Sequence, residues 1–262
     1  MAGFCNHALE LTALAGDPGS RVHRLDPRAK LLGLFGVTVV AVSAPLALWP
    51  VWAACALVLA AVAAASRVPA RELWRRGRIV LAPVLAVALV VPLVRSGGWS
   101  ASLGPLTVHE AGLAVLATVA AKALIGTAAA ALFIATTTFA AALRGLEALR
   151  VPRAFVLIAA FMYRYLFVIV EEVGRMRAAM TARGYRPRHA LQAGALGRVA
   201  SALFLRSYGR GERVYLAMLA RGYRGAVPRI APLAFRRPDA LFLAAVLAAP
   251  IAAWVAVAGA SA

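Results

Sequence analysis

The sequence predicts an all-α integral membrane protein: about five transmembrane helices, and two further long helices that face the cytoplasm and end in Ala-Arg-Gly. Three observations predict it. The 262 residues are 63% hydrophobic and the mean hydropathy is positive, with several apolar stretches long enough to cross a hydrocarbon core of roughly 30 Å. The formal net charge of +19 is gathered into a few stretches, as expected where Arg and Lys mark the loops that stay in the cytoplasm. One eight-residue block also occurs twice, as Ala179-Met180-Thr181-Ala182-Arg183-Gly184-Tyr185-Arg186 and as Ala217-Met218-Leu219-Ala220-Arg221-Gly222-Tyr223-Arg224.

The amino-terminal segment is polar and is broken by charges, so it does not read as a cleaved signal peptide. It ends in His23-Arg24-Leu25-Asp26-Pro27-Arg28-Ala29-Lys30, which marks the cytoplasmic side of a first apolar run, Leu31 to Leu48. A second run, Trp49 to Ala65, follows with only Pro45 and Pro50 as punctuation, so the two form a hairpin with a tight external turn. Arg67, Arg71, Arg75, Arg76 and Arg78 then make a basic cytoplasmic loop. The third span, about Ile79 to Val94, contains Pro83 and Pro92 and is expected to kink. Arg95 to Glu110 reads as an external loop.

The fourth span, Ala111 to about Thr138, is alanine-rich, with Gly126 allowing close helix approach. Lys122 interrupts it. An ammonium within a span is expensive, so it either faces the bundle interior with a function or snorkels toward the outer interface.

After Thr138 the character changes, and well over half of the 29 basic residues fall between Phe139 and Asp239. Residues 1–138 are therefore assigned to the amino-terminal segment and four spans, 139–238 to a cytoplasmic domain, and 239–262 to a last span. Phe139 to Leu149 reads as a short interfacial helix, broken by Val151-Pro152-Arg153. A continuous helix from Ala154 to Arg183 would be about 45 Å long, more than a membrane core needs. Its first half is nearly apolar and carries Tyr163-Arg164-Tyr165; its second mixes Glu171, Glu172, Arg175 and Arg177 with Val173, Met176 and Met180. The second arm, about Leu191 to Arg221, carries Leu196, Val199, Leu203, Val214 and Met218 near one stripe. Arg206, Arg210 and Arg213 recur at helical spacing on another, where they meet headgroups and water or pair with Glu171 or Glu172 of the first arm. Both arms end alike, with Gly184 or Gly222 where a left-handed cap needs no Cβ. Arg183 and Arg221 then sit at projecting tips, favoured by the negative end of the helix dipole and free to reach another protein's carboxylate.

Several chemistries are excluded. Asp17, Asp26 and Asp239 are isolated, and no Asp-rich motif exists to hold magnesium. His7, His23, His109 and His189 are scattered, and Cys5 and Cys55 have no metal-like spacing. No catalytic or metal-ligating residue is assigned. The phosphate-binding G-x-x-x-x-G-K-[ST] is missing, so ATP-linked work requires a separate ATPase.

The paired Ala-Arg-Gly motifs, with His23 to Lys30, resemble the transmembrane T component of energy-coupling factor (ECF) transporters over nearly the whole chain. Leu149-Arg150-Val151-Pro152, Tyr163-Arg164-Tyr165 and Leu203-Phe204-Leu205-Arg206-Ser207 resemble the CbiQ-type subfamily of cobalt uptake systems. The resemblance implies a non-catalytic, multi-pass subunit of the inner membrane, with its two-armed domain in the cytoplasm. Ala182, Arg183, Gly184, Ala220, Arg221 and Gly222 would dock on two ABC-type ATPase subunits. The arms, crossing near the cytoplasmic face, would grip a substrate-binding S component, CbiM-like and accompanied by a CbiN-like small subunit. The chain itself would hold no cofactor: ATP and magnesium belong to the ATPase, and cobalt to the S component. The lipid bilayer is a partner and nucleic acid is not. A nickel or vitamin system shares the motifs, and a self-contained transporter or channel with a route past Lys122 is the rival from another class.

Overall fold

A computed structural model describes residues 20, 22–45, 48–68, 71, 84, 100–103, 106–185, 194–225 and 234–260. The described elements are α1 (Pro27–Ser43), α2 (Trp49–Ser66), β1 (Ser100–Leu103), β2 (Leu106–His109), α3 (Glu110–Thr136), α4 (Phe139–Ala148), α5 (Arg153–Ala182), α6 (Gly194–Ala220) and α7 (Arg237–Ala260). They fall into two compact units, one holding α1 to α4 and α7, the other α5 and α6.

In the first unit, α1 starts where Asp26 accepts the Arg28 N–H at 2.9 Å and Pro27 supplies the first helical residue. It ends at Ser43, earlier than the apolar run does, because Ala44 is extended ahead of Pro45. After a turn closed by Leu48 N–H on the Pro45 carbonyl at 3.0 Å, α2 opens with Pro50 in its first turn. Leu34, Val37 and Ala41 of α1 meet Val51, Trp52, Cys55 and Leu59 of α2, Ile125, Ala129 and Leu132 of α3, and Val246 of α7 in one apolar core. Of Gly36 and Gly126, it is Gly36 that sits at a tight helix contact. A Cβ at Gly36 would lie 2.6 Å from Leu247 Cδ2 of α7, whereas one at Gly126 would meet Thr38 at 3.6 Å. Small residues thus set the spacing of α1 against α7. The fourth predicted span is α3, and the interfacial helix is α4, capped by Thr138 Oγ1 on Ala141 N–H at 3.3 Å.

Four described helices have the length and apolar content to cross a membrane: α2, α3 over Ala114–Thr136, α5, and α7 over Arg237–Val257. The predicted third span, Ile79 to Val94, lies outside the described residues apart from Val84. The segment read as an external loop holds an antiparallel pair of four-residue strands, with Ser100 opposite His109 and Leu103 opposite Leu106. Strands this short give too little alternation to register in a sequence.

The His23 to Lys30 stretch does more than mark a side of the membrane. Lys30 is buried, and its Nζ donates to the His23 carbonyl at 3.2 Å and to the Thr136 carbonyl at 2.9 Å. His23 Nε2–H donates to the Ala135 carbonyl at 3.2 Å, leaving Nδ1 to accept from the Ser20 hydroxyl at 2.5 Å. Two otherwise orphaned carbonyls at the carboxyl end of α3 are satisfied in this way. Asp239, in the first turn of α7, accepts the Asp26 N–H at 2.7 Å and the Arg236 N–H at 2.8 Å. Asp26 and Asp239 are therefore joined, not isolated, and His23 meets a helix end. One polar knot ties the amino ends of α1 and α7 to the carboxyl end of α3. Lys122 Nζ donates to the Val42 carbonyl at 2.7 Å, in the last turn of α1, where the helix dipole favours a cation.

Candidate coupling site

The second unit is built from two helices with no fully buried residue on either. In α5 the Tyr185 N–H reaches back to the Met180 carbonyl at 3.1 Å and the Gly184 N–H to that of Thr181 at 3.0 Å. Gly184 has φ +77°, which a Cβ would penalise. In α6 the Tyr223 N–H meets the Met218 carbonyl at 3.0 Å, the Gly222 N–H meets that of Leu219 at 2.9 Å, and Gly222 has φ +81°. These are two copies of one Schellman cap. The match extends to exposure. Met180 and Met218 are half-buried, as are Tyr185 and Tyr223, while Ala182, Arg183, Ala220 and Arg221 all stand in the open.

The capping explains the glycines and the paired Met and Tyr positions. It does not explain the arginines, because a Schellman cap needs φ > 0 after the helix and no particular side chain before it. Each guanidinium stands at the end of a helix that favours positive charge, with five donors in a planar fork suited to a carboxylate.

Between the tips and the start of α5 the arms are linked by charge. Glu172 accepts from Arg175 of its own helix and from Arg206 of α6, and Arg175 also donates to Glu171 at 2.6 Å. One of the two destinations foreseen for the arginine row, an acidic partner on the first arm, is present. Arg206 pairs across to α5, while Arg210 and Arg213 are exposed, with no acidic partner among the described residues. Arg175 is the member that sequence reasoning left out of the crossing, although its i+3 and i+4 spacing from Glu172 and Glu171 was the available signal. Tyr163 packs edge-on to Phe167 at 5.5 Å and Tyr165 stacks with Phe161 at 6.2 Å, so both rings are held along α5 while Arg164 between them is exposed.

Among the described residues no three His, Cys, Asp or Glu side chains converge as metal ligands would. The arms offer fixed ends, exposed cations and a charged crossing, an arrangement suited to holding and moving other proteins.

Residues 18–232 match a family described as Cobalt transport protein, CbiQ. A putative fused cobalt transport protein CbiMQ of Methanocorpusculum labreanum is 25% identical over 233 residues, 86% of this chain and 38% of that one. A putative ABC transporter ATP-binding protein of Bifidobacterium longum is 28% identical over 253 residues, 88% of this chain and 31% of the relative. The energy-coupling factor transporter transmembrane protein EcfT of Heliobacterium modesticaldum is 28% identical over 225 residues, 80% of this chain and 82% of that protein. The chain thus spans under two fifths of the first two relatives and most of the third.

Proposed function

The chain belongs to the CbiQ family of cobalt transport proteins, and on that premise we propose that it is the coupling subunit of an ATP-driven importer of cobalt ion. It is a membrane protein, with helices long and apolar enough to cross a bilayer. Ala182-Arg183-Gly184 and Ala220-Arg221-Gly222 dock on two ABC-type ATPase subunits, and the arms pass the movement of those subunits to an S component that holds the cobalt. The observation that carries this reading is the duplication of one capped, arginine-bearing helix end in sequence, backbone and exposure. A cap alone accounts for Gly184 and Gly222 and leaves Arg183 and Arg221 with nothing to do.

The mechanism follows from the parts. ATPase subunits that close on ATP and open after hydrolysis carry the two tips with them, and arms anchored at their tips scissor about the Glu172–Arg206 crossing. Ala182 and Ala220 let each helix end seat closely, the glycines stop the helix, and each Arg pairs with an acidic groove residue. The tips of the arms lie on the cytoplasmic side, where the basic surplus belongs, and the nearly apolar first half of α5 leaves the bilayer obliquely. ATP and magnesium act on the ATPase. Lys122 donates to the Val42 carbonyl, which gives that ammonium a structural role in the helix bundle.

Co-purification from native membranes tests the reading. A tagged chain is expected to bring down an ABC-type ATPase and a second membrane protein that binds cobalt. Cobalt uptake into vesicles holding the purified chain alone would refute it.

A further inference from the structure

The two tips share a cap but not the surface leading up to it. When the repeated blocks are laid over each other and continued toward the start of each arm, Leu219 falls on Thr181, Leu216 on Ala178 and Tyr215 on Arg177. Leu219, Leu216 and Tyr215 are 44%, 58% and 55% exposed. Their counterparts on α5 are also exposed but small or polar, and Thr181 Oγ1 turns back to donate to the Arg177 carbonyl at 3.0 Å. On α6 large exposed side chains recur on one face, Phe204 and Tyr208 in its middle and Tyr215 and Leu219 at its tip, at i, i+4, i+11 and i+15, with Gly211 between the two pairs. On α5 the large exposed apolar side chains are Phe155, Ile158, Met162 and Leu166. These stop about 24 Å short of the helix end at 1.5 Å per residue.

Accepting that the tips dock on ATPase subunits, we propose that they grip by different forces. The α6 tip is the anchor: Tyr215, Leu216 and Leu219 seat against an apolar wall of the ATPase groove beside the acidic partner of Arg221. The α5 tip is held by the Arg183 ion pair with little apolar burial, and is the end that lets go first. The occupant of the α6 patch is assigned to the ATPase because the patch is continuous with the last helical turn, directly before Arg221. An anchored and a releasable end make the two ATPase contacts functionally unequal although the Ala-Arg-Gly motifs are the same.

Salt separates the two forces, because it weakens a guanidinium–carboxylate pair, most of all while the tip is undocked and its charge exposed, and leaves apolar burial intact. The full complex is bound through a tag on this chain and washed with rising sodium chloride, and the retained ATPase is measured. Wild type is expected to keep most of its ATPase at about 1 M salt, where the Debye length is about 3 Å. Leu216→Ala combined with Leu219→Thr is expected to match it at low salt and to retain at least about tenfold less at high salt. Adding Ala178→Leu and Thr181→Leu to that variant, which moves the patch to the other arm, should restore retention. Equal retention by wild type and the Leu216→Ala/Leu219→Thr variant at high salt would overturn the proposal while leaving the docking reading standing. So would an environment-sensitive dye on a cysteine at position 219 reporting apolar surroundings in ATPase-free lipid vesicles, which would give the patch to the membrane. A wild-type chain that retains no ATPase even at low salt would overturn both.

Discussion

Replacing Lys30 by Met is expected to cost the membrane unit about 2–4 kcal/mol. The side chain is 2% exposed and its Nζ makes two bonds, to the His23 carbonyl at 3.2 Å and the Thr136 carbonyl at 2.9 Å. A hydrogen bond to a charged group contributes about 1.5–3 kcal/mol, and a buried acceptor left unmade costs about 1–3 kcal/mol. Against this stands the relief of no longer burying an ammonium, which offsets part of the sum. Methionine keeps the apolar stem and fills the space, so cavity formation adds little. The loss is therefore assigned to the two carbonyls, one of which ends α3 and has no helical partner of its own. Reversible unfolding in mixed detergent micelles, monitored by tryptophan fluorescence, measures the change. Lys30→Arg should recover part of it, since a guanidinium can still donate to a carbonyl. A Met variant as stable as wild type would refute the claim that this knot holds three helix ends together.

Lys122→Ala should cost less, about 1 kcal/mol, because a single carbonyl at 2.7 Å accepts from a half-buried ammonium; its signature is reduced assembly or stability with metal preference unchanged, as read by competition uptake. Gly184→Ala and Gly222→Ala should each cost roughly 1–2 kcal/mol of helix-end stability, and by nearly equal amounts, because both sit at φ near +80° in the same cap; hydrogen exchange at the Tyr185 and Tyr223 amides checks this, and unequal protection would break the equivalence of the tips. Arg164→Lys should weaken transport while the ATPase stays bound, since the planar fork is lost and the tips are untouched; normal uptake by that variant would reduce Arg164 to an interfacial anchor.

What the sequence made legible was local. The two caps could be read because every group in a Schellman motif lies within six consecutive residues, Met180 to Tyr185 or Met218 to Tyr223. The helices that carry the first, second, fourth and last predicted spans were legible to within a few residues from hydropathy, with α1 shortened at Ser43 by the extended Ala44 before Pro45. The polar knot was not legible. Its bonds join residues 213, 112 and 106 positions apart, and nothing in Asp26, His23 or Lys30 names Asp239, Ala135 or Thr136 as partner. The arm crossing stood between these cases. Helical spacing pointed to the Arg206 row and to Glu171 and Glu172 as its partners, but choosing Arg206 with Glu172 needs the packing of one arm on the other. The apolar face of α6 was visible only in part: a large side chain in an amphipathic helix reads as core until its exposure is known.

The central claim is that Arg183 and Arg221 hold the ATPase, and the double variant Arg183→Ala/Arg221→Ala tests it most directly, with ATPase retention and cobalt uptake measured on the same membranes. Losing an Arg that pairs with a buried partner carboxylate costs about 2–5 kcal/mol. Each single variant should impair uptake yet keep much of its ATPase, because the surviving tip holds the partner at high effective concentration. The double variant should insert normally and take up no cobalt, and whatever ATPase it keeps should be held by the apolar surface of the α6 tip and be lost when Leu216→Ala/Leu219→Thr is added. If it retains the ATPase and transports at the wild-type rate, the two arginines are ornaments on helix caps and the coupling function proposed for this chain is wrong.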